Sequence, residues 1–464
     1  MPQIPHLPPL PRLPRRGARR KASPPPRIGL LDRVRDRLES GQWLRLRGRF
    51  RGRRGLIAFF AVMGPGIIAG MAGNDAGGIT TYSVLGAETG YRLLWLFPVM
   101  VVMLAIVQEI AARLGVVTGQ GLSDLIRDRF GVRWTALAMV VLFVANLAQT
   151  IANFAGIGAA GEIFGVHRAA VVPVVAVGLW ALVMFSSART VERVFLSVVV
   201  VFLLYIVSAF QANPDWGAVG QAMTTPSISL EPSVLILAVA LVGTTITPFM
   251  QFYLQSAVAE KEIDEEELGL ERADAIGGAI WTNMVAAFIV IAVAATLFVS
   301  GISVETAEDA ARALEPVAGP MAGTLFAIGL FGASGLAATI LPLTTAYVIC
   351  EAFGWESGVG KRFADARPFY VIYTVVLAIG AAFVLLPGLD LVPLIILTQN
   401  LQALLLPVIL IFMVLLVNDP RIMGRHRNGR FGNILAWGTV GLVIVLDVVL
   451  LGVSALGIFG VRVG

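Results

Sequence analysis

The chain has 464 residues, of which 57% are hydrophobic and only 14% are charged, with a formal net charge of +5. Soluble globular proteins carry about 25% charged residues. The apolar surplus therefore excludes an ordinary soluble domain and predicts an all-α integral membrane protein, since helices satisfy their own backbone hydrogen bonds in lipid.

Residues 1–55 form the first predicted element, a basic cytoplasmic tail that is largely disordered. They hold 16 Lys and Arg against 3 acidic residues, a net charge of +13, which leaves the rest of the chain at −8. The Pro- and Arg-rich first half predicts disorder, and the second half fits a short amphipathic helix on anionic lipid headgroups. Nucleic-acid binding is a weaker interpretation for a tail directly before membrane spans. The tail lacks an apolar core followed by a cleavage site, so no signal peptide is predicted.

Residues 56–460 form the predicted transport domain, with eleven apolar stretches near the roughly 20 residues that cross the hydrocarbon core. The predicted spans are 57–86, 94–117, 134–164, 169–187, 192–210, 233–258, 276–300, 319–350, 368–387, 391–417 and 434–458. Basic residues concentrate in the even-numbered loops, which predicts a cytoplasmic amino terminus and an extracytoplasmic carboxyl terminus. The Arg- and Ala-rich composition favours the inner (plasma) membrane of a bacterium.

Two of the predicted spans are interrupted. The first contains Asn-Asp-Ala-Gly-Gly at residues 74–78, and the sixth contains a run of threonines before Pro248. The interruptions lie five spans apart, which predicts two inverted five-helix repeats at about 56–212 and 230–418, with an extra helix at 432–458. Unwound backbone is tolerated in a membrane where it lines a cavity, and its carbonyls can coordinate a cation.

Asp75 is the candidate centre of such a site. An ionised carboxylate at mid-membrane is costly unless it is paired, and the first span contains no Lys or Arg. A bound cation would compensate the charge. Two other interpretations stay open: a protonated structural aspartate, and a cap on the second half-helix, which is partly compatible with a cation site.

Several stretches resemble the Nramp family of divalent-metal transporters. They are "GPGIIAGMAGNDAGG" in the first span, "ETGYRLLW" and "QEIAARLGVVTGQGLSDLIRDRFG" around the second, "LFAIGLFGASGLAATI" in the eighth and "NDPRIMG" after the tenth. The resemblance covers roughly 60 to 450. It implies the leucine-transporter-like fold, with the metal bound between the broken helices 1 and 6 as the transported substrate and with no cofactor.

The resemblance also implies a ligand set. The family's aspartate falls on Asp75, its asparagine ligand on Gly78, and its Met-Pro-His motif on Thr247, Pro248 and Phe249. The residues expected at the metal are Asp75, Ala72 (through its carbonyl), Gly78, Thr245, Thr247 and Gln399. The acids of the family's third helix, which are linked to proton movement, align with Thr150 and Asn153.

These departures favour a hard cation. Losing a thioether removes a soft ligand that favours transition metals, and glycine in place of asparagine widens the site. A roomy site with one carboxylate suits a largely hydrated Mg²⁺, which dehydrates reluctantly. The pattern resembles the Nramp-related magnesium transporters, with Mn²⁺ also accepted. Because none of the chain's three histidines falls inside a predicted span, we expect uptake that is uncoupled from protons.

Three alternative functions are compatible with an apolar, multi-span chain to different degrees. One is a proton-coupled Mn²⁺ or Fe²⁺ transporter of the ordinary Nramp type, in which Met250 replaces the lost methionine. A sodium-coupled organic-substrate carrier is disfavoured by the family-specific stretches. An intramembrane enzyme would need a pair of acids or a nucleophile beside a base, and the sequence shows no such set, so no enzyme activity is expected. Neither a nucleic-acid partner nor an obligate protein partner is expected.

The remaining polar residues of the spans have structural interpretations. Glu109, Glu162 and Glu351 are expected to be hydrogen-bonding or helix-end residues, and the acidic run 260–274 a solvated loop and helix end. Asn74 could point either at the cavity or into a neighbouring helix.

Overall fold

The apolar stretches of the sequence form helices in the computed structural model, which describes residues 64–186, 202–227, 231–261, 263, 265–304 and 322–458. All of them belong to one unit, Phe60–Gly464. The tail predicted for 1–55 and the first part of the predicted fifth span lie outside the described residues.

The helices follow the predicted spans closely. In chain order they are α1 (Pro65–Met71), α2 (Ala76–Thr89), α3 (Leu96–Thr118), α4 (Leu122–Phe130), α5 (Val132–Ile163), α6 (Arg168–Phe185), α7 (Leu203–Gln211), α8 (Trp216–Thr224), α9 (Pro232–Thr245), α10 (Pro248–Glu260), α11 (Leu268–Val293, continued by a π-helical turn at Ala294–Phe298), α12 (Ala322–Phe353), α13 (Arg367–Val384), α14 (Leu391–Asn418), α15 (Pro420–Met423) and α16 (Arg430–Ile458). Within this described part, nine helices are long and apolar enough to cross a membrane, with α9 and α10 taken as one.

Both predicted interruptions are real breaks. The first span divides into α1 and α2 around residues 72–75, and the sixth divides into α9 and α10 around residues 246–247. Proline occupies the first turn of α1, α9 and α10, where its missing N–H costs no hydrogen bond. The breaks therefore follow from glycine and proline placed where an apolar helix would otherwise continue.

The packing repeats with a five-span offset. Half-helix α2, the second half of the first span, packs against α11, and half-helix α10, the second half of the sixth span, packs in the same way against α3. The pairs α3–α11 and α5–α12 each join corresponding spans of the two halves. These reciprocal contacts place the two broken spans together at the centre of the bundle.

The contact between α1 and α11 is unusually close. A Cβ atom at Gly278 would lie 2.4 Å from the carbonyl oxygen of Gly66, and one at Gly66 would lie 2.6 Å from the backbone nitrogen of Ala275. Glycine lets the two backbones approach, as small residues do in membrane helix pairs. The first half-helix is thereby seated directly on α11.

Candidate functional site

Asp75 lies at the break in the first span and begins the second half-helix. It is the N-cap of α2, with an extended backbone, and its Oδ1 accepts a hydrogen bond of 2.9 Å from the backbone N–H of Gly78. The side chain is buried. The interpretation of Asp75 as a helix cap is thus confirmed, and the cap uses one of the two carboxylate oxygens.

The other carboxylate oxygen is held by two amides of α5. Asp75 Oδ2 accepts hydrogen bonds from Gln149 Nε2 at 2.5 Å and from Asn153 Nδ2 at 2.7 Å. Residues four apart lie on one helix face, so α5 presents both amides together. Each of these donors to the carboxylate is a neutral N–H group, and no Lys, Arg or His of the described residues pairs with it.

Sequence reasoning missed Gln149. It placed Thr150 and Asn153 at the positions of the family's acids, but the Thr150 hydroxyl donates back to the carbonyl of Asn146 at 2.7 Å and does not contact Asp75. Asn153 does contact it. The i, i+4 spacing of Gln149 and Asn153 on an apolar helix was the signal that could have found the pair.

Gln399 reaches the carboxylate through Gln149. Its Nε2 donates to Gln149 Oε1 at 2.9 Å and to Thr398 Oγ1 at 2.9 Å. A Cβ at Gly77 would lie 2.0 Å from Gln399 Nε2, so the missing side chain leaves the room that this amide fills. Helices α2, α5 and α14 therefore share one chain of polar side chains.

The second break contributes hydroxyls that are buried and unpaired. Thr245 ends α9, Thr247 is the N-cap of α10, and the hydroxyls of Thr244, Thr245 and Thr247 have no hydrogen-bond partner among the described residues. They do not bond back to their own helix. A Cβ at Gly78 would lie 3.3 Å from Thr244 Oγ1 and 2.6 Å from the carbonyl oxygen of Gly73, so the two breaks face each other.

The structure brings part of the predicted ligand set together. Gly78 bonds to Asp75 through its backbone, and Gln399 is linked to it through Gln149. Thr245 and Thr247 share no hydrogen bond with Asp75 in the described part of the chain. Ala72 closes α1, with its N–H bonded to the carbonyl of Ile68 at 2.9 Å.

Asn74 turns away from this set. Its Nδ2 donates to the carbonyl of Thr282 on α11 at 3.0 Å, which settles the choice between cavity and neighbouring helix in favour of the helix. Met250 of α10 lies against the first break, since a Cβ at Gly73 would be 2.0 Å from the terminal methyl group of Met250. Both Met250 and Phe249 are completely buried.

Two of the acids expected to be structural, Glu109 and Glu351, have polar partners. Glu109 forms ion pairs with Arg113 at 2.9 Å and Arg272 at 2.7 Å, and Glu351 accepts a hydrogen bond from Ser256 at 2.6 Å. The expectation that the acidic run 260–274 is merely solvated is wrong for Glu271 and Asp274, which are buried. The run enters α11, whose first turns pack inside the bundle.

No cluster of three or more His, Cys, Asp or Glu side chains that could hold a metal ion occurs in the described ranges. Apart from the thioether of Met250, a cation at this site would therefore depend on one carboxylate together with neutral oxygens from hydroxyls, amides and the unwound backbone. Oxygen-only coordination of this kind suits hard cations such as Mg²⁺, Ca²⁺ and Mn²⁺.

Comparison with known sequences gives one matching family. The family model for natural resistance-associated macrophage protein-like (Nramp) sequences matches residues 66–452. The divalent metal cation transporter MntH of Bacillus subtilis (strain 168) is 27% identical over 425 residues, 88% of this chain and 94% of the relative. The MntH of Granulibacter bethesdensis is 26% identical over 443 residues, 92% of this chain and 95% of the relative.

Solved structures share the architecture. The manganese transporter of Eremococcus coleocola, crystallised with an aromatic bis-isothiourea compound, superposes with a TM-score of 0.70 at 21% identity, covering 89% of this chain and 90% of that one. Mhp1, a nucleobase-cation-symport-1 transporter in a closed conformation, gives a TM-score of 0.53 at 16% identity, with coverage of 83% and 90%. At these identities the likeness concerns the fold alone.

Fold and sequence together define a membrane transporter of the leucine-transporter-like fold, not an enzyme. The chain belongs to the Nramp family. In this family the metal is the transported substrate, and no cofactor takes part.

Proposed function

We propose that this transporter carries a divalent cation, Mg²⁺ foremost and Mn²⁺ in addition, bound at Asp75 between the two helix breaks. The observation that carries the proposal is a buried carboxylate held by neutral N–H donors and faced by a second break with unpaired hydroxyls. A buried, ionised carboxylate needs a positive partner, and because Asp75 has no basic neighbour among the described residues, a bound cation can fill that role. The names of the MntH relatives support a divalent metal as the cargo.

The proposed ligands are oxygens. Asp75 supplies the carboxylate, Ala72 a carbonyl, Gln399 an amide oxygen, and Thr245 and Thr247 hydroxyl or carbonyl oxygens. Gly78 adds no side-chain ligand, so water that the ion keeps would complete its coordination. Mg²⁺ usually keeps several of its waters and uses one or two carboxylates, so a site with a single acid fits it.

We further propose that transport is not coupled to protons. The α5 side chains on Asp75 are the amides of Gln149 and Asn153, which do not titrate, where the family resemblance leads one to expect acids. His167 is exposed, and His426 lies after α15, away from both breaks. Uptake would then be driven by concentration and by the membrane potential, with the amino terminus in the cytoplasm as the basic loops indicate.

Uptake into proteoliposomes tests the proposal directly. Purified protein is reconstituted with a trapped Mg²⁺-sensitive dye and, in parallel, a trapped pH dye. We expect Mg²⁺ entry without acidification for the natural chain and loss of entry for Asp75→Asn, which keeps the shape of the side chain but not its charge.

Asp215→Asn provides a matched control, since Asp215 also caps a helix, α8, but at an exposed position. This control should transport normally. Failure of Mg²⁺ entry, with Mn²⁺ uptake that acidifies the lumen, would overturn both the Mg²⁺ preference and the lack of proton coupling.

A second candidate is proton-coupled transport of Mn²⁺ or Fe²⁺, with Met250 as a thioether ligand. It is favoured by the contact of the Met250 methyl group with Gly73 in the first break and by the manganese that the Eremococcus transporter carries. A thioether selects soft ions, so Cd²⁺ should then compete strongly, and Met250→Leu should abolish that competition.

Met413→Leu is the control for that substitution. Met413 is equally buried but lines a small apolar gap between α3, α14 and α16, away from both breaks. Equal Cd²⁺ competition in the natural chain and in both variants would exclude Met250 as a ligand.

A further inference from the structure

We propose that Gln149 is a reversible cation ligand: its amide donates N–H to Asp75 when the site is empty and turns its carbonyl oxygen to the cation when the site is loaded. This inference rests on the proposed binding of a divalent cation at Asp75. It adds a residue of α5 to the proposed ligands and gives that residue a role in ion selectivity.

Gln149 is in direct contact with the proposed binding atom. Its Nε2 lies 2.5 Å from Asp75 Oδ2, and the residue is completely buried. A cation bound to that oxygen would meet the partial positive charge of the N–H group. A half-turn of the same amide about its last side-chain bond replaces the donor with Oε1, an acceptor that can coordinate the cation.

The neighbouring amide cannot make this turn. Asn153 Oδ1 accepts a hydrogen bond of 3.1 Å from the N–H of Ala76, and its Nδ2 donates both to Asp75 and, at 2.9 Å, to the backbone carbonyl of Gln149. Turning it would set oxygen against oxygen on one side and N–H against N–H on the other. Asn153 is therefore a fixed positioning residue for the carboxylate.

Gln149 is free to turn because its second partner is also an amide. Gln399 Nε2 donates to Gln149 Oε1 at 2.9 Å, and Gln149 Nε2 lies 3.4 Å from Gln399 Oε1. If both amides turn together, the Gln149 N–H donates to Gln399 Oε1 and the pair keeps a hydrogen bond. Gln399 Nε2 also donates to the hydroxyl of Thr398 at 2.9 Å and to the carbonyl of Ile395 at 3.4 Å. The Thr398 hydroxyl now donates to the Ile395 carbonyl at 2.7 Å, and it can rotate to donate to a turned Gln399 Oε1 in exchange for that bond.

Glycine provides the room for this rearrangement. A Cβ at Gly77 would lie 2.0 Å from Gln399 Nε2 and 2.8 Å from Gln149 Nε2, so any side chain there would occupy the space of both amides. In the first turn of α2, therefore, only the backbone of Gly77 faces the amides of Gln149 and Gln399. An amide oxygen is a hard ligand, and adding one favours Mg²⁺ and Mn²⁺ over Cd²⁺.

The test exchanges the ligand atom for a soft one. Methionine is unbranched and close to glutamine in size, so Gln149→Met places a thioether where the amide oxygen is proposed to bind. We expect the affinity for Mn²⁺, measured by calorimetry on the full-length protein in detergent, to fall about 10-fold. The Cd²⁺ to Mn²⁺ affinity ratio should rise at least as much, since sulfur prefers the softer ion.

Gln402→Met is the control. Gln402 is as buried as Gln149 and lies on α14, one turn after Gln399. Its Nε2 donates to the carbonyl of Ala145, and it has no hydrogen bond with Asp75. The control should leave the ratio unchanged. An unchanged ratio in Gln149→Met, with Mn²⁺ still bound by the natural chain and lost in Asp75→Asn, would overturn the ligand role of Gln149 alone. Failure of the natural chain to bind any divalent cation, or binding that survives Asp75→Asn, would instead overturn the proposed function.

Discussion

The carboxylate of Asp274 on α11 lies 2.7 Å from the backbone nitrogen of Gly66 in the first turn of α1, and it also accepts the N–H of Gly64 at 3.0 Å. It caps a half-helix more than 200 positions away in the sequence. The free N–H groups that begin a helix need such acceptors, above all where water is excluded. The half-helix α1 is therefore held on α11 in two ways. Hydrogen bonds to Asp274 fix its first turn, and close backbone contacts at glycine hold the rest of its length.

We predict that Asp274→Ala lowers the free energy of unfolding by about 2 kcal/mol, the upper end for a lost helix cap, because two buried N–H groups lose their acceptor. Thermal unfolding in detergent micelles measures the effect. Asp215→Ala removes a cap of the same kind from an exposed helix start, where water replaces it, and should cost less. Equal losses in the two variants would contradict a special role for Asp274.

The close approach of α1 and α11 predicts a sharp contrast between two glycines of α11. Gly278→Ala should destabilise the protein by about 1–3 kcal/mol, because the new methyl group would lie 2.4 Å from a backbone oxygen that cannot move aside. Gly269→Ala should be neutral or stabilise by up to about 1 kcal/mol, since Gly269 faces open space and alanine favours the helix. Unfolding temperatures of the two variants, compared with the natural chain, test this difference.

Glu109 offers a test of buried ion pairing. It neutralises Arg113, whose side chain is only 7% exposed, and it also pairs with Arg272. Glu109→Gln should cost about 3 kcal/mol, because it leaves a buried guanidinium without its counter-charge. Glu356→Gln breaks an ion pair with Lys361 in which both side chains are largely exposed, and its effect on the unfolding temperature should be close to zero.

Asp419, just after α14, should make the stability depend on pH. The backbone N–H of Arg421 and the guanidinium of Arg129 hold the pKa of this carboxyl below its ordinary value of about 4. A lowered pKa in the folded state means that the stabilisation is present above the ordinary pKa and is lost as the pH falls through the folded value. The contribution is up to about 1 kcal/mol, since the Arg129 side chain is half exposed.

Asp419→Asn should accordingly unfold at a lower temperature than the natural chain above about pH 5, and the gap should close below about pH 4. Arg129→Gln should show a smaller gap, because the N–H of Arg421 remains. A gap that persists unchanged into acid would contradict the role assigned to the Asp419 charge.

The sequence predicts the helices and both breaks well, because these depend on local features: apolar runs of fixed length, and glycine or proline within them. The predicted span begins at 276, whereas the helix α11 begins at Leu268 and buries Glu271 and Asp274, which look like solvated residues in sequence. Asp274 is buried because its partners belong to α1. A contact over such a distance leaves no local pattern in the chain.

The candidate site shows the same limit. Asp75 stands out in sequence, since a lone acid in an apolar span needs a partner. Its actual neighbours, Gln149 and Asn153, depend on how α5 is rotated about its axis, and the alignment to family positions gives Asn153 but places Thr150 where Gln149 lies. The relation of Gln399 to Gln149 requires three helices to be in place and could not be predicted from the sequence.

The neutral surroundings of Asp75 also determine how the carrier responds to voltage. If the amides leave the carboxylate ionised, the empty site carries one negative charge, and loading a divalent ion changes its sign to one positive charge. Each elementary charge that crosses the full membrane field gains or loses about 2.3 kcal/mol per 100 mV. An inside-negative potential would therefore draw the loaded site inward and drive the empty site back outward, so that both halves of the cycle run in the direction of uptake.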